Sequence, residues 1–242
     1  MSTTGRAPST REFRDFRDCP FGLCDGSGML YDDASNTAYD CRCRPQIIAL
    51  RKARSLSAVI PKRYRDVAFE RWPVTEIEPK VVRATRRFTD RIDEHLDAGR
   101  GLWFMGRVGT GKTTLAMLVS KAALEAGRTV AIYSLPRLLN EIRDTHRAER
   151  SHVDLLDRLT AVDLLHVDDV GAERTTDWVL EELYSIVNAR YEEQRSMVIT
   201  TNILDREALC EQISERSVSR LTEMCDELPL DGDDRRMDRY SA

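Results

Sequence analysis

The sequence predicts an α/β protein in which a parallel sheet of about five strands is flanked by helices and preceded by a small cysteine module. Three observations predict it. Five short apolar segments, GLWFMG, TVAIYS, DLLHVDDV, SMVITTN and CDELPL, have helical patterns between most of them. That alternation argues for a parallel sheet covered on both faces. The glycine-rich stretch GRVGTGKTT, Gly106 to Thr114, falls directly after the first strand and before the helical pattern LAMLVSKAALEA. Four of the six cysteines stand between residues 19 and 43.

The 242 residues suffice for one well-buried domain and a smaller appendage. The composition, 41% apolar and 32% charged, is that of a soluble, charge-rich globular protein. Nothing approaches the ~18 consecutive apolar residues of a membrane span. The opening MSTTGRAPSTREFRDFRD is polar and lacks the apolar core of a secretory signal. The expectation is a cytoplasmic protein with no membrane partner. A net charge of −4 gives no global argument for nucleic acid, so any such contact must come from local patches.

Taken in chain order, the first element is the cysteine module. Cys19, Cys24, Cys41 and Cys43 are spaced C-x4-C-x16-C-x-C. Two short-spaced pairs separated by a loop suit tetrahedral thiolate ligation of zinc, which supplies stability that so short a segment cannot draw from a core. Free thiols and a redox pair are the alternatives. Four thiolates leave no open position, so such a zinc is structural. Cys210 and Cys225 stand alone, as reduced thiols do. From Cys41 to Arg65 there is no acid and there are eight basic residues. They form either a solvated linker helix or a phosphate-backbone contact.

The nucleotide core follows. Gly106, Gly111, Lys112 and Thr113 fit G-x-x-x-x-G-K-[ST] in the strand-to-helix context that motif requires. Backbone N–H groups of Val108, Gly109, Thr110 and Thr114, with the glycines, can wrap the phosphates of ATP. Lys112 is placed to reach the β- and γ-phosphates and the Thr113 hydroxyl to ligate Mg²⁺. A second half-site ends the strand LLHVDD: Asp168 would hold Mg²⁺, and Asp169 would orient or deprotonate the attacking water. His166 reads as a packed histidine. One strand separates the phosphate loop from LLHVDD and a further strand ends in TTN, where Asn202 can contact the γ-phosphate or polarise the water. That order is the additional-strand arrangement of ATPase machines. REALCEQISERSVSRLTEMC reads as helical, with Arg216 and Arg220 on one face. They are either solvated and paired with Glu211 or Glu215, or a finger offered to a neighbouring subunit's γ-phosphate.

Together, IPKRYRDVAFE, GLWFMGRVGTGKTTLA, HVDDVGAERTTDWVLEELYSIVNARY, ITTN, SERSVSRLTEMC and DGDDRRMDR resemble the AAA+ helicase loaders of the DnaC/DnaI type, close relatives of the IstB-type transposition ATPases. The resemblance runs from Ile60 to Arg239. It implies a P-loop NTPase of the AAA+ type that assembles into an ATP-dependent oligomer. It further implies binding of a hexameric replicative DNA helicase through the N-terminal region and its delivery to single-stranded DNA. It makes Arg220, in the SRL triplet, the arginine finger, and Arg236, in GDDRR, the sensor-2 arginine. Pro61 to Phe69 take the adenine-side position. The expected organisation is a zinc-binding, helicase-contacting module over residues 1–45, a basic linker helix over 46–59 and the ATPase domain over 60–242. Six residues follow Arg236, so the lid is expected to be short or absent. Asp169 stands where much of the superfamily carries glutamate, which points to slow hydrolysis. Two other functions fit the residues: remodelling of duplex DNA for a transposase, as IstB-type proteins do, and an adaptor in which zinc and ATP act as switches with negligible hydrolysis.

Overall fold

A computed structural model describes residues 19, 21–32, 36–45, 47–48, 60–145, 149–171 and 176–232. Arg235, Arg236 and most of the expected linker helix over residues 46–59 lie outside them.

The cysteine module is built on a hairpin, β1 (Met29–Asp32) against β2 (Thr37–Asp40), antiparallel with Met29 opposite Asp40. Cys19 and Cys24 precede it and Cys41 and Cys43 follow it. The Cys41 N–H donates to the Gly28 carbonyl at 2.9 Å. Gly28 has φ +81°, and a side chain there would press on Ile47 and the Arg44 backbone, so this turn needs a glycine.

Short 3₁₀ turns at Lys62–Tyr64 and Val74–Glu76 lead into α1 (Pro79–Asp90) and α2 (Ile92–Asp97). The strands are β3 (Gly101–Gly106), β4 (Val130–Ser134), β5 (Leu164–Val170), β6 (Ser196–Thr201) and β7 (Cys225–Leu230). Between them run α3 (Lys112–Glu125), α4 (Leu135–Thr145), α5 (Glu149–Ala161), α6 (Asp177–Glu192), α7 (Arg206–Ile213) and α8 (Glu215–Met224). All five strands are parallel, in the order β4-β5-β6-β3-β7. β6 is thus inserted between β3, which carries the phosphate loop, and β5, which carries the acids. This is the additional-strand sheet expected from the sequence.

Strand periodicity of two sorts the core into two layers. Leu102, Phe104, Leu164 and Val198 face α1 to α3, while Trp103, Met105, Leu165, Val167, Met197 and Ile199 face the helices α4 to α8. Trp103 and Phe104 are fully buried, one in each layer. The sole proline within these strands, Pro229, lies on the edge strand β7, where a missing N–H breaks no central ladder.

The pattern REALCEQISERSVSRLTEMC is divided. α7 ends at Ile213, Ser214 takes φ +72°, and α8 starts at Glu215 with the Ser214 hydroxyl accepting from the Ser217 N–H at 3.3 Å. Leu209, Ile213, Val218 and Leu221 are all buried at near-helical spacing. Near-helical spacing therefore continues across a break between two helices, which the capping serine marks.

Candidate functional site

The phosphate loop leaves β3 at Gly106 and enters α3 at Lys112. Gly109 and Gly111 take φ +80° and +102°, and a side chain on Gly111 would collide with Ile77. The Thr110 hydroxyl donates to the Arg107 carbonyl at 2.9 Å and closes the loop. Lys112 is buried, and its ammonium donates to the carbonyls of Gly106 and Arg107, each at 2.8 Å, and to Asn202 Oδ1 at 2.6 Å. The β3 loop and the tip of β6 therefore meet at one ammonium. Val108 is exposed at the outer rim of the loop.

The second half of the site follows from strand parity. Leu164, His166 and Asp168 point to the α3 side of β5. There the Thr113 hydroxyl donates to the Asp168 carboxylate, 3.0 Å from Oδ1 and 3.2 Å from Oδ2. His166 Nδ1 lies 2.9 Å from the Ser120 hydroxyl of α3, and burial pushes the imidazole down to about 3. It is a neutral, packed histidine in the interface between sheet and helix. Past Val167 the register of β5 on β6 slips: Val167 pairs with Ile199, but the next pair is Val170 with Thr201. Asp168 and Asp169 thus share one opposing residue, Thr200, and Asp169 takes φ +58°. The Thr200 hydroxyl donates to Asp168 Oδ1 at 2.6 Å and accepts the Asp169 N–H at 2.9 Å. Sequence reasoning did not single out Thr200. Its only trace there is the TTN terminus.

Two other expected groups stand on further elements. Arg220, on α8, has its guanidinium 4.9 Å from the Tyr184 ring centroid and 5.5 Å from that of Tyr191, and Arg216 lies 5.9 Å from Tyr184. These arginines stack on α6 rather than pair with Glu211 or Glu215, and Tyr191 is itself anchored by donation to the Glu223 carboxylate at 2.9 Å. Tyr64 and Phe69 pack beside the α3 layer, and Lys121 ties that segment to α3 through the carbonyls of Arg65 and Val67.

A family model described as IstB-like ATP binding protein matches residues 77–241. The chain belongs to this IstB-like family. Among curated relatives, the replicative helicase loader DnaC of Buchnera aphidicola subsp. Schizaphis graminum is 26% identical over 161 residues, 65% of this chain and 64% of that protein. The uncharacterized protein YdaV of Escherichia coli K12 is 31% identical over 130 residues, 54% of this chain and 52% of its own. A crystal structure of the DnaC helicase loader matches with a TM-score of 0.62 at 26% identity, over 71% of this chain and 100% of the other. The chain spans just under two thirds of the DnaC relative's length. Its fold is that of the AAA+ ATPases, within the IstB-like family and related to the DnaC loaders.

The IstB-like match begins at residue 77, so the cysteine cluster stands on its own geometry. Cys19 and Cys41 sulfurs lie 3.8 Å apart, Cys24 and Cys43 sulfurs 3.5 Å, and all four fall within 4.8 Å of one another. A tetrahedron with Zn–S bonds of ~2.3 Å has edges of about 3.8 Å, so the four residues fit a zinc ion. Burial works against the Cys19 thiolate, but backbone hydrogen bonds from Leu23, Cys24 and Phe21 outweigh it and hold Cys19 near 6. Burial and the neighbouring sulfurs push Cys43 up. Four thiols crowded around one point can settle by handing their protons to solvent and their lone pairs to a cation. Among the described residues no helix is long and apolar enough to cross a membrane.

Proposed function

We propose that the chain is an ATPase that loads a replicative DNA helicase onto single-stranded DNA, hydrolysing ATP at the interfaces of its own oligomer. The observation that carries the reading is the joining of β3, β6 and β5 at one point. Lys112 reaches Asn202, and Thr113 reaches Asp168, on an additional-strand sheet whose relatives include proteins named as helicase loaders. In this reading the loop from Gly106 to Thr114 wraps the phosphates, and Lys112 turns from the loop carbonyls to the β- and γ-phosphates. The Thr113 hydroxyl and the Asp168 carboxylate, 3.0 Å apart, form a donor pair suited to Mg²⁺ and would hold it. Bound there, Mg²⁺ would neutralise charge on the β- and γ-phosphate oxygens. Asp169 takes the proton of the attacking water and Asn202 orients that water against the γ-phosphate. Arg220 would serve a neighbouring subunit; within its own chain its guanidinium lies against the rings of Tyr184 and Tyr191. Arg236 would act as sensor-2. The cysteine module, residues 1–45, would hold zinc and bind the helicase.

Light scattering of the chain mixed with a replicative helicase, ATP and Mg²⁺, repeated after deletion of residues 1–45, tests the reading. A complex that disappears on deletion supports loading and assigns the module to the helicase. Absence of any complex, with ATP-dependent assembly on duplex DNA instead, would favour the transposition-type role that the IstB-like family match also fits. Arg220→Ala is expected to abolish hydrolysis and spare nucleotide binding; normal turnover would remove Arg220 from the finger role. Equal turnover by Asp169→Asn and wild type would mean that ATP acts only as a switch.

A further inference from the structure

We infer that Thr200 is a positioning residue of the phosphate site, whose single hydroxyl sets the rotation of the Asp168 carboxylate and the backbone of Asp169 together. The inference rests on reading Asp168 as the Mg²⁺ ligand and Asp169 as the water residue. It goes beyond that reading by naming what holds the two acids in different directions.

Adjacent residues of a regular strand point to opposite faces, so two consecutive acids cannot both serve one site without a distortion. Here the distortion is the slipped register between Val167 and Val170, where Asp168 and Asp169 together oppose Thr200. A bulge of this kind re-aims a side chain, and it leaves one backbone group without its ladder partner. At this irregularity the Asp169 N–H donates to the Thr200 hydroxyl oxygen at 2.9 Å. A non-glycine residue at φ +58° persists only where its surroundings fix it, and this bond is one such restraint.

The same hydroxyl has one proton, and it goes to Asp168 Oδ1 at 2.6 Å. Asp168 is thereby held from two sides, by Thr200 on β6 and by Thr113 on α3. With Oδ1 engaged by Thr200, the carboxylate cannot rotate freely, and the direction it offers a cation is set by β6. Thr200 is fully buried, and its neighbour Thr201 begins the turn to Asn202, which holds Lys112. One short strand end therefore fixes the acid pair and the lysine at once. Valine at this position would keep the shape, remove one of the two hydroxyls that Asp168 accepts from, and take away the acceptor that the Asp169 N–H has on β6.

The experiment compares Thr200→Val, Thr200→Ser and Asp168→Asn with wild type in the full-length chain. Three quantities are read: ATP-analogue affinity in EDTA, the Mg²⁺ concentration giving half of the Mg²⁺-dependent rise in melting temperature with ATP, and turnover. Thr200→Val is expected to bind nucleotide in EDTA within about twofold of wild type. It should need about tenfold more Mg²⁺ and hydrolyse about tenfold more slowly, the usual scale for losing a hydrogen bond to a charged group. Thr200→Ser, which restores the hydroxyl, should return both to wild-type values. A wild-type Mg²⁺ midpoint in Thr200→Val, while Asp168→Asn has lost its response, would overturn the role of Thr200 and leave the acid pair standing. A wild-type response in Asp168→Asn would remove the reading beneath it instead. Should the valine variant fail to melt cooperatively, Thr200→Ala, which also lacks the hydroxyl, decides: a raised Mg²⁺ midpoint beside a wild-type value in Thr200→Ser supports the hydroxyl, and a wild-type midpoint in Thr200→Ala overturns it.

Discussion

Around Lys112, the side chains suited to phosphate stand on the first turn of α3 and at the ends of β5 and β6, anchored in two apolar layers that run the length of the sheet. Around Cys19, the buried apolar residues among those described in the module are Cys19, Cys41, Cys43 and Ile47. In the first region the core is large and the functional groups are a minor addition at its edge. In the second the functional groups are the core. The difference teaches how each would fail. The sheet site can lose its chemistry and keep its fold, whereas the module has little apolar burial to fall back on once the sulfurs are deprived of a common partner.

The largest expected effect separates the two directly. Structural zinc contributes on the order of 10–16 kcal/mol of apparent folding free energy in small cysteine domains at neutral pH. We expect one zinc per chain, and chelation or Cys41→Ser with Cys43→Ser should expose residues 19–48 to proteolysis. The main melting transition and ATP affinity should stay unchanged, because they belong to the sheet. A metal-free purified chain with a protease-resistant module, or a collapse of the main transition on chelation, would break the comparison.

The next effect is confined to the other region. ATP that binds only the folded sheet domain, at about one hundred times its dissociation constant, raises stability by about 2.7 kcal/mol. Lys112→Ala should lose most of that nucleotide-dependent stabilisation, read as a flattened melting-temperature shift, with zinc content unaltered. Because Lys112 is buried against three oxygen acceptors, its removal also leaves the Gly106 and Arg107 carbonyls and Asn202 without that donor. Some loss of ligand-free stability is therefore expected alongside it. A full ATP-induced shift in Lys112→Ala would place nucleotide binding elsewhere on the chain.

How much of this was legible in the sequence divides along physical lines. Features set by short-range spacing could be read: the glycines and Lys112 of the loop, the two cysteine pairs, and the strands with their alternating faces. The additional-strand order was also legible, because the acid-bearing strand follows one intervening strand and a further strand ends in TTN. Thr200 was not legible, because its importance depends on a slip in register that no local pattern announces. The break at Ser214 was hidden for a related reason, since apolar spacing continues across it. The ring contacts of Arg220 required α6 and α8 to be brought together, and Tyr184 and Tyr191 are remote from it in sequence.

The smallest effect at neutral pH tests whether the sheet site rests on packing rather than on charge. His166 lies fully buried between β5 and α3, with Nδ1 on Ser120 and Nε2 4.0 Å from Asp168 Oδ1. Burial lowers its pKa in the fold to about 3, against 6.5 for an unperturbed histidine. Between those two values the unfolded chain takes up a proton that the folded chain refuses, so acidification stabilises the unfolded state relative to the fold. The sign follows: this group contributes nothing to pH dependence above about 6.5, destabilises the fold progressively as pH falls below that, and stops changing below about 3. Replacing His166 with glutamine, which retains a hydrogen-bonding tip without a titrating ring, should leave the pH 7 melting temperature little altered. It should also make the stability curve shallower between pH 6.5 and 4. The measurement is urea unfolding across that range for the two proteins. An unchanged acid slope in His166→Gln would mean that the imbalance in proton uptake comes from other groups. A steep loss of stability at pH 7 would mean that the imidazole's bond to Ser120 carries more of the β5–α3 contact than its surrounding apolar layer does.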